Sequence, residues 1–163
     1  MNKTLKQLVQ LFKNAISPVT AGNNRLILFA TAVKALGTDA SPNDVAPDEY
    51  ACAETVWDIL AMAFPLNVGF PFTVSTNQLY KFLKNCSQYI QVDNPLEGDI
   101  IISPTGYGNG VLPNGHTGII GQLPLIMSNS SATGTFEENY TIDGWKARYA
   151  VKGGYPVYFF RRT

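Results

Sequence analysis

The chain is poor in the residues that most often carry chemistry: 163 residues hold one histidine, His116, and two cysteines, Cys52 and Cys86. Two cysteines cannot build a disulfide framework. With no CxxC and no pair of histidines, a tetrahedral metal site would draw most of its ligands from carboxylates, so no metal or other cofactor is expected. Charge of one sign is missing too. Lys+Arg and Asp+Glu both number 12, which leaves no excess of cations to neutralise phosphates and argues against a nucleic-acid partner. Long apolar runs are absent. The segment "RLILFATAVKALG" falls well short of the roughly 20 residues that span a bilayer, so no membrane span is expected. Lysines at 3, 6 and 13 interrupt "MNKTLKQLVQLFKNAIS", which therefore has no signal-peptide core; synthesis in the cytoplasm without an export signal is the expectation. The glycine-rich "PTGYGNGVLPNG" lacks the Gly-Lys-Ser/Thr ending of a phosphate loop and reads as a hairpin connection.

What is present divides into a helical first half and a strand-rich second half. Leu5, Leu8, Val9, Phe12 and Ile16 follow the spacing of one helix face, which predicts a helix over 3–16. The apolar run after it predicts a buried helix over 24–36, ended by Gly37. Pro47 or a neighbouring aspartate opens a third helix that Pro65 stops near Phe64. Ser75 and Gln78 have capping-box spacing for a fourth, with Leu79, Phe82, Leu83 and Cys86 on one face. After "VDNPLEGD" the period shortens: "IIIS", "HTGIIG", "LPLIMS", "ATGTFEENY" and "YPVYFFRR" read as strands. Helices first and strands afterwards predict an α+β fold, with helices packed on an antiparallel sheet of about five strands. No repeat or linker divides the chain. One domain over 1–163 is expected, with N-terminal helices in 1–46 and a core in 47–163.

Cys52 falls near the start of the third helix, where free main-chain N–H groups favour a thiolate. Cys86 completes an apolar stripe and reads as a buried small hydrophobe, so Cys52 is expected to be the more reactive thiol. A cysteine nucleophile needs a base within hydrogen-bond reach and a third group to orient that base. His116 begins a strand after a long loop. Thirteen positions on (129 minus 116), Asn129 lies on the next strand, where its amide could accept from the imidazole. Ser128 competes for that role, because one step of register exchanges the two. Tyr50, Tyr107, Trp145 and the loop 104–115 are candidates for an oxyanion site and substrate groove, whereas Trp57, in mid-helix, reads as packing.

Cysteine at a helix start, then "GDIIIS", "GHTGIIG" and "IMSNSSATGTF", is an order that resembles the NlpC/P60 and CHAP group of papain-like cysteine peptidases, which cut bacterial peptidoglycan. The resemblance covers roughly residues 47 to 162. It departs at Ala51-Cys52-Ala53-Glu54, where many members have Asp-Cys-Ser-Gly. It implies a papain-like NlpC/P60-type fold and a Cys52–His116–Asn129 triad. The implied activity is cleavage of an amide or peptide bond of the wall stem peptide, as an N-acetylmuramoyl-L-alanine amidase or an endopeptidase. The expected partner is peptidoglycan and the expected state a monomer. Delivery by lysis, virion or a secretion system would suit such a chain, whether phage endolysin, tail-associated hydrolase or toxin. The alternative is a non-catalytic wall-binding or virion-structural domain with the same fold.

Overall fold

The computed structural model describes residues 23–42, 44–47 and 50–163; the helix expected over 3–16 lies outside them. Helix α1 spans 23–35, and Gly37, at φ 80, lies just beyond its end as expected. Its burial is one-sided rather than complete. Leu28, Ala32 and Ala35 enter the core, while Leu26, Ile27 and Val33 stay exposed.

Helix α2, Cys52–Ala63, starts later than the proline signal suggested and places Cys52 at its first position. Glu54, two residues on, is fully buried. Its carboxylate accepts from Ser41 Oγ at 2.9 Å and from the main-chain N–H of Ala46 at 3.0 Å, tying the preceding loop across the helix start. A buried carboxylate needs such partners to offset its desolvation. The helix ends at Ala63, before Pro65, as expected. In α3, Thr76–Asn85, the Ser75 side chain accepts from the N–H of Gln78, satisfying one of the free amides of the first turn.

Among the described residues, six antiparallel strands form the sheet: β1 Tyr89–Val92, β2 Ile100–Ser103, β3 His116–Ile120, β4 Leu125–Asn129, β5 Phe136–Thr141 and β6 Tyr158–Arg162. Their order is β1-β6-β2-β3-β4-β5. The strand missed by the sequence reading is β1, which buries only Tyr89 fully and shows no alternation. The fold is α+β. Helices α1, α2 and α3 pack on the sheet face that carries Ile100, Ile102, Ile119 and Met127. The other face carries Ile101, Ile120 and Ile126 and is covered by Trp145, Tyr149 and Tyr155. Two of these lie in the short α4, Ile142–Trp145, and the π-helical segment Lys146–Lys152 that follows it. Asp99, fully buried between β1 and β2, accepts two hydrogen bonds from Arg161 and one from the N–H of Leu96, holding the "GD" turn to the last strand. No helix among the described residues is long and apolar enough to cross a membrane.

Candidate active site

At the end of the sheet where β3 begins and β4 ends lies a cavity of about 910 Å³. Cys52, His116 and Asn129 all border it, as do Tyr50 and the loop residues Leu112–Gly115. Gly115 has to be glycine, because a Cβ there would run into the Ser103 carbonyl and the Thr105 main-chain nitrogen. The two reactive residues approach the cavity from different layers. Cys52 arrives with α2 on the helical face, and His116 turns toward the aromatic cluster on the other face.

Each has its own hydrogen-bond partners. Main-chain N–H groups of Thr117, Ala53 and Cys52 itself lie near the Cys52 sulfur and favour a thiolate. Burial outweighs them: the side chain is 7% exposed, and its pKa is pushed up to about 11. The expected resting thiolate is therefore corrected to a thiol. Cys86 departs from expectation in the opposite sense. It caps the end of α3, half-buried, with its thiol directed to the Gly69 carbonyl at 3.5 Å. At pH 8 about one Cys52 in a thousand is ionised, from the thiolate fraction at that pKa. An aromatic disulfide reagent should therefore label Cys86 at least about tenfold faster, read by mass spectrometry of peptide digests. Faster labelling of Cys52 would show that burial does not control it.

The His116 ring stacks on Trp145 with centroids 5.2 Å apart and on Tyr149 at 5.7 Å, and meets Tyr140 edge-on at 5.9 Å. Its Nε2 lies 3.1 Å from Ser128 Oγ. The pairing Gly118↔Ser128 explains this choice: Ser128 shares the sheet face of Gly118 and of His116 two residues before it, whereas Asn129 alternates to the helical face. Asn129 meets the ring through its main-chain carbonyl. Asn139 was missed by the sequence reading. Its Oδ1 accepts from Ser128 Oγ at 2.6 Å, and its Nδ2 donates to the carbonyls of Ser128 and Asn129 at 3.3 and 3.2 Å. A β-bulge opposite Ile126/Met127 makes room for it, since Met127 pairs with Glu138 and Ile126 with Tyr140, leaving Asn139 over. An interrupted alternation in "FEENY" was the available signal.

Trp145 is not a groove residue as expected. It is fully buried beneath His116, with its indole N–H donating to Ser103 Oγ at 3.1 Å. Tyr107 packs edge-on against Tyr80 at 5.6 Å and does not border the cavity. Trp57 is part-buried, edge-on to Phe72. Arg148 and Tyr149, not singled out from sequence, do border the cavity.

Burial, helped by the Arg148 cation, pulls the His116 pKa down to about 4, against the opposing pull of the Asn129 carbonyl. The stability consequence has a definite sign. As pH falls through 6.5 the unfolded chain takes up a proton that the folded ring refuses until about 4, so folding weakens across that window. We expect the wild type to lose about 2 kcal/mol more than His116→Gln between pH 7 and 4, because the ring edge on the cavity keeps some water. Urea denaturation at the two pH values measures it; parallel losses in both proteins would refute a neutral imidazole.

No protein-family model matches the chain, and no curated protein sequence does. The fold does match a solved one. A chain of the type VI native effector–immunity complex Tae3–Tai3 from Ralstonia pickettii superposes with a TM-score of 0.52 at 18% identity, covering 85% of this chain and 98% of that chain.

Proposed function

We propose that this chain is a peptidoglycan hydrolase that cleaves a stem-peptide amide with Cys52 as nucleophile and His116 as base, on a fold of the papain-like NlpC/P60 type. The observation that carries the reading is one cavity receiving both the Cys52 end of α2 and His116. The fold shared with a chain of a type VI effector–immunity complex supports delivery by a secretion system more than by a phage. Arg148 is the only cation on the cavity wall among the described residues, and no carboxylate joins it there, so an anionic peptide is favoured.

With the thiol and imidazole both neutral at rest, proton transfer accompanies attack. As Sγ bonds to the amide carbon its proton passes to His116; the C–N bond then breaks and that proton leaves with the amine. Water attacks the thioester, gives a proton to His116, and the thiol is restored. The amides around Cys52 at the helix start are the available donors to the oxyanion.

Digestion of purified peptidoglycan of several wall types, with mass spectrometry of the soluble products, tests this reading. Fragments with new amine termini support it and name the bond. No fragments from any wall would overturn it, and the buried protonated thiol would then favour the non-catalytic wall-binding domain.

A further inference from the structure

We propose that Asn139 is a positioning residue for His116, acting through the Ser128 hydroxyl to fix the ring tautomer that leaves Nδ1 as the basic nitrogen. The assignment follows from which atoms can donate. Asn139 faces two main-chain carbonyls, of Ser128 and Asn129, and these accept only. Its amide nitrogen must therefore point at them, since the reversed amide would set oxygen against two oxygens. That leaves Oδ1 toward Ser128, 2.6 Å away, and as an acceptor it must take the hydroxyl proton. Ser128 Oγ then has no proton to offer His116, so Nε2, 3.1 Å from it, has to supply the hydrogen. A neutral imidazole carries one ring proton. With it on Nε2, the lone pair is on Nδ1, and the Asn129 carbonyl, which favours the charged ring, is served only when the ring takes up its second proton.

The bulge in β5 gives the relay its place. Without the extra residue opposite Ile126/Met127, β5 would have no unpaired position from which an amide could reach Ser128. Ser128 is fully buried, which shields the hydroxyl at the centre of the relay from exchange with water, and the stack on Trp145 holds the ring plane in register with it. The relay deepens the reading of His116 as a base and rests on it for its use, but its geometry can be tested without any substrate.

His116 is the only histidine in the chain, so ring ¹⁵N shifts of uniformly labelled protein report on it without assignment. At pH 7 the wild type should show the Nε2–H tautomer. Asn139→Leu and Ser128→Ala should each shift the ring toward a mixture of tautomers. Ser128→Thr, which keeps a hydroxyl between Asn139 and the ring, should retain Nε2–H, a rescue that simple loss of packing would not give. In wall digestion, Asn139→Leu should lower kcat about 10- to 100-fold with little change in KM, in the range for residues that orient a reacting group. An Nδ1–H ring in the wild type, or an unchanged tautomer in both Leu and Ala variants, overturns the relay even where activity falls. Loss of the tautomer in a protein that never cleaves peptidoglycan upholds the relay and defeats the hydrolase. Should Asn139→Leu fail to fold, the wild-type tautomer and Ser128→Ala decide alone.

Discussion

Cys52→Ser is expected to lower release of peptidoglycan fragments by at least about 10⁴-fold, the scale on which loss of a nucleophile is felt when the rest of the site survives. Serine fits where cysteine was, and its hydroxyl can still accept from the amides of Thr117 and Ala53 that now surround the sulfur. The loss would therefore come from chemistry. An alcohol holds its proton far more tightly than a thiol, and the imidazole offered to it has a pKa near 4, a weak base. A thiol held up to about 11 is already a hard proton to remove at rest; an alcohol in the same place is beyond this histidine. Because burial and volume hardly change, unfolding free energy should stay within about 1 kcal/mol of wild type. Product analysis beside urea denaturation checks both halves. A serine variant that still cleaves at a tenth of the wild-type rate would remove Cys52 from the mechanism, whatever the digest shows for the wild type.

Elements whose residues face a single consistent environment were legible in the sequence. Strands β2, β3 and β4 declare themselves through runs such as Ile100–Ile102 and Ile119–Ile120, and α3 through its Ser75 cap. What escaped was set by tertiary pairing. β1 exists because β6 needs an edge partner, through pairs such as Tyr89↔Arg162, not because "YIQV" alternates. Asn139 was invisible because a bulge places one residue out of step, and its role depends on register against β4. The choice between Ser128 and Asn129 turned on the same register. Position along the helix correctly brought Cys52 to free amides, but the sign of its pKa shift was misjudged. Helix-terminal amides act over one turn, while desolvation depends on everything packed above the sulfur, here the start of β3.

Trp145→Ala should be the most disruptive change in the aromatic layer, costing about 3–5 kcal/mol, the range for truncating a fully buried aromatic residue. The indole is wholly enclosed and also donates to Ser103 Oγ, so truncation leaves both a void and an unpaired buried hydroxyl. Its second consequence separates it from an ordinary core mutation. Trp145 forms one wall of the His116 stack, and removing it admits water to a ring whose pKa is depressed mainly by burial. The histidine titration should then move up from about 4 toward 6.5, while the acid loss of stability shrinks in step, because folded and unfolded rings now bind protons alike. Trp145→Phe keeps an aromatic face and should hold the titration near its wild-type position while still leaving Ser103 without its donor. Stability that falls equally in both variants, with no difference in the His116 titration, would mean that the tryptophan supports the sheet but not the histidine. The expected divergence would make the indole the group that keeps the base neutral and oriented before substrate arrives.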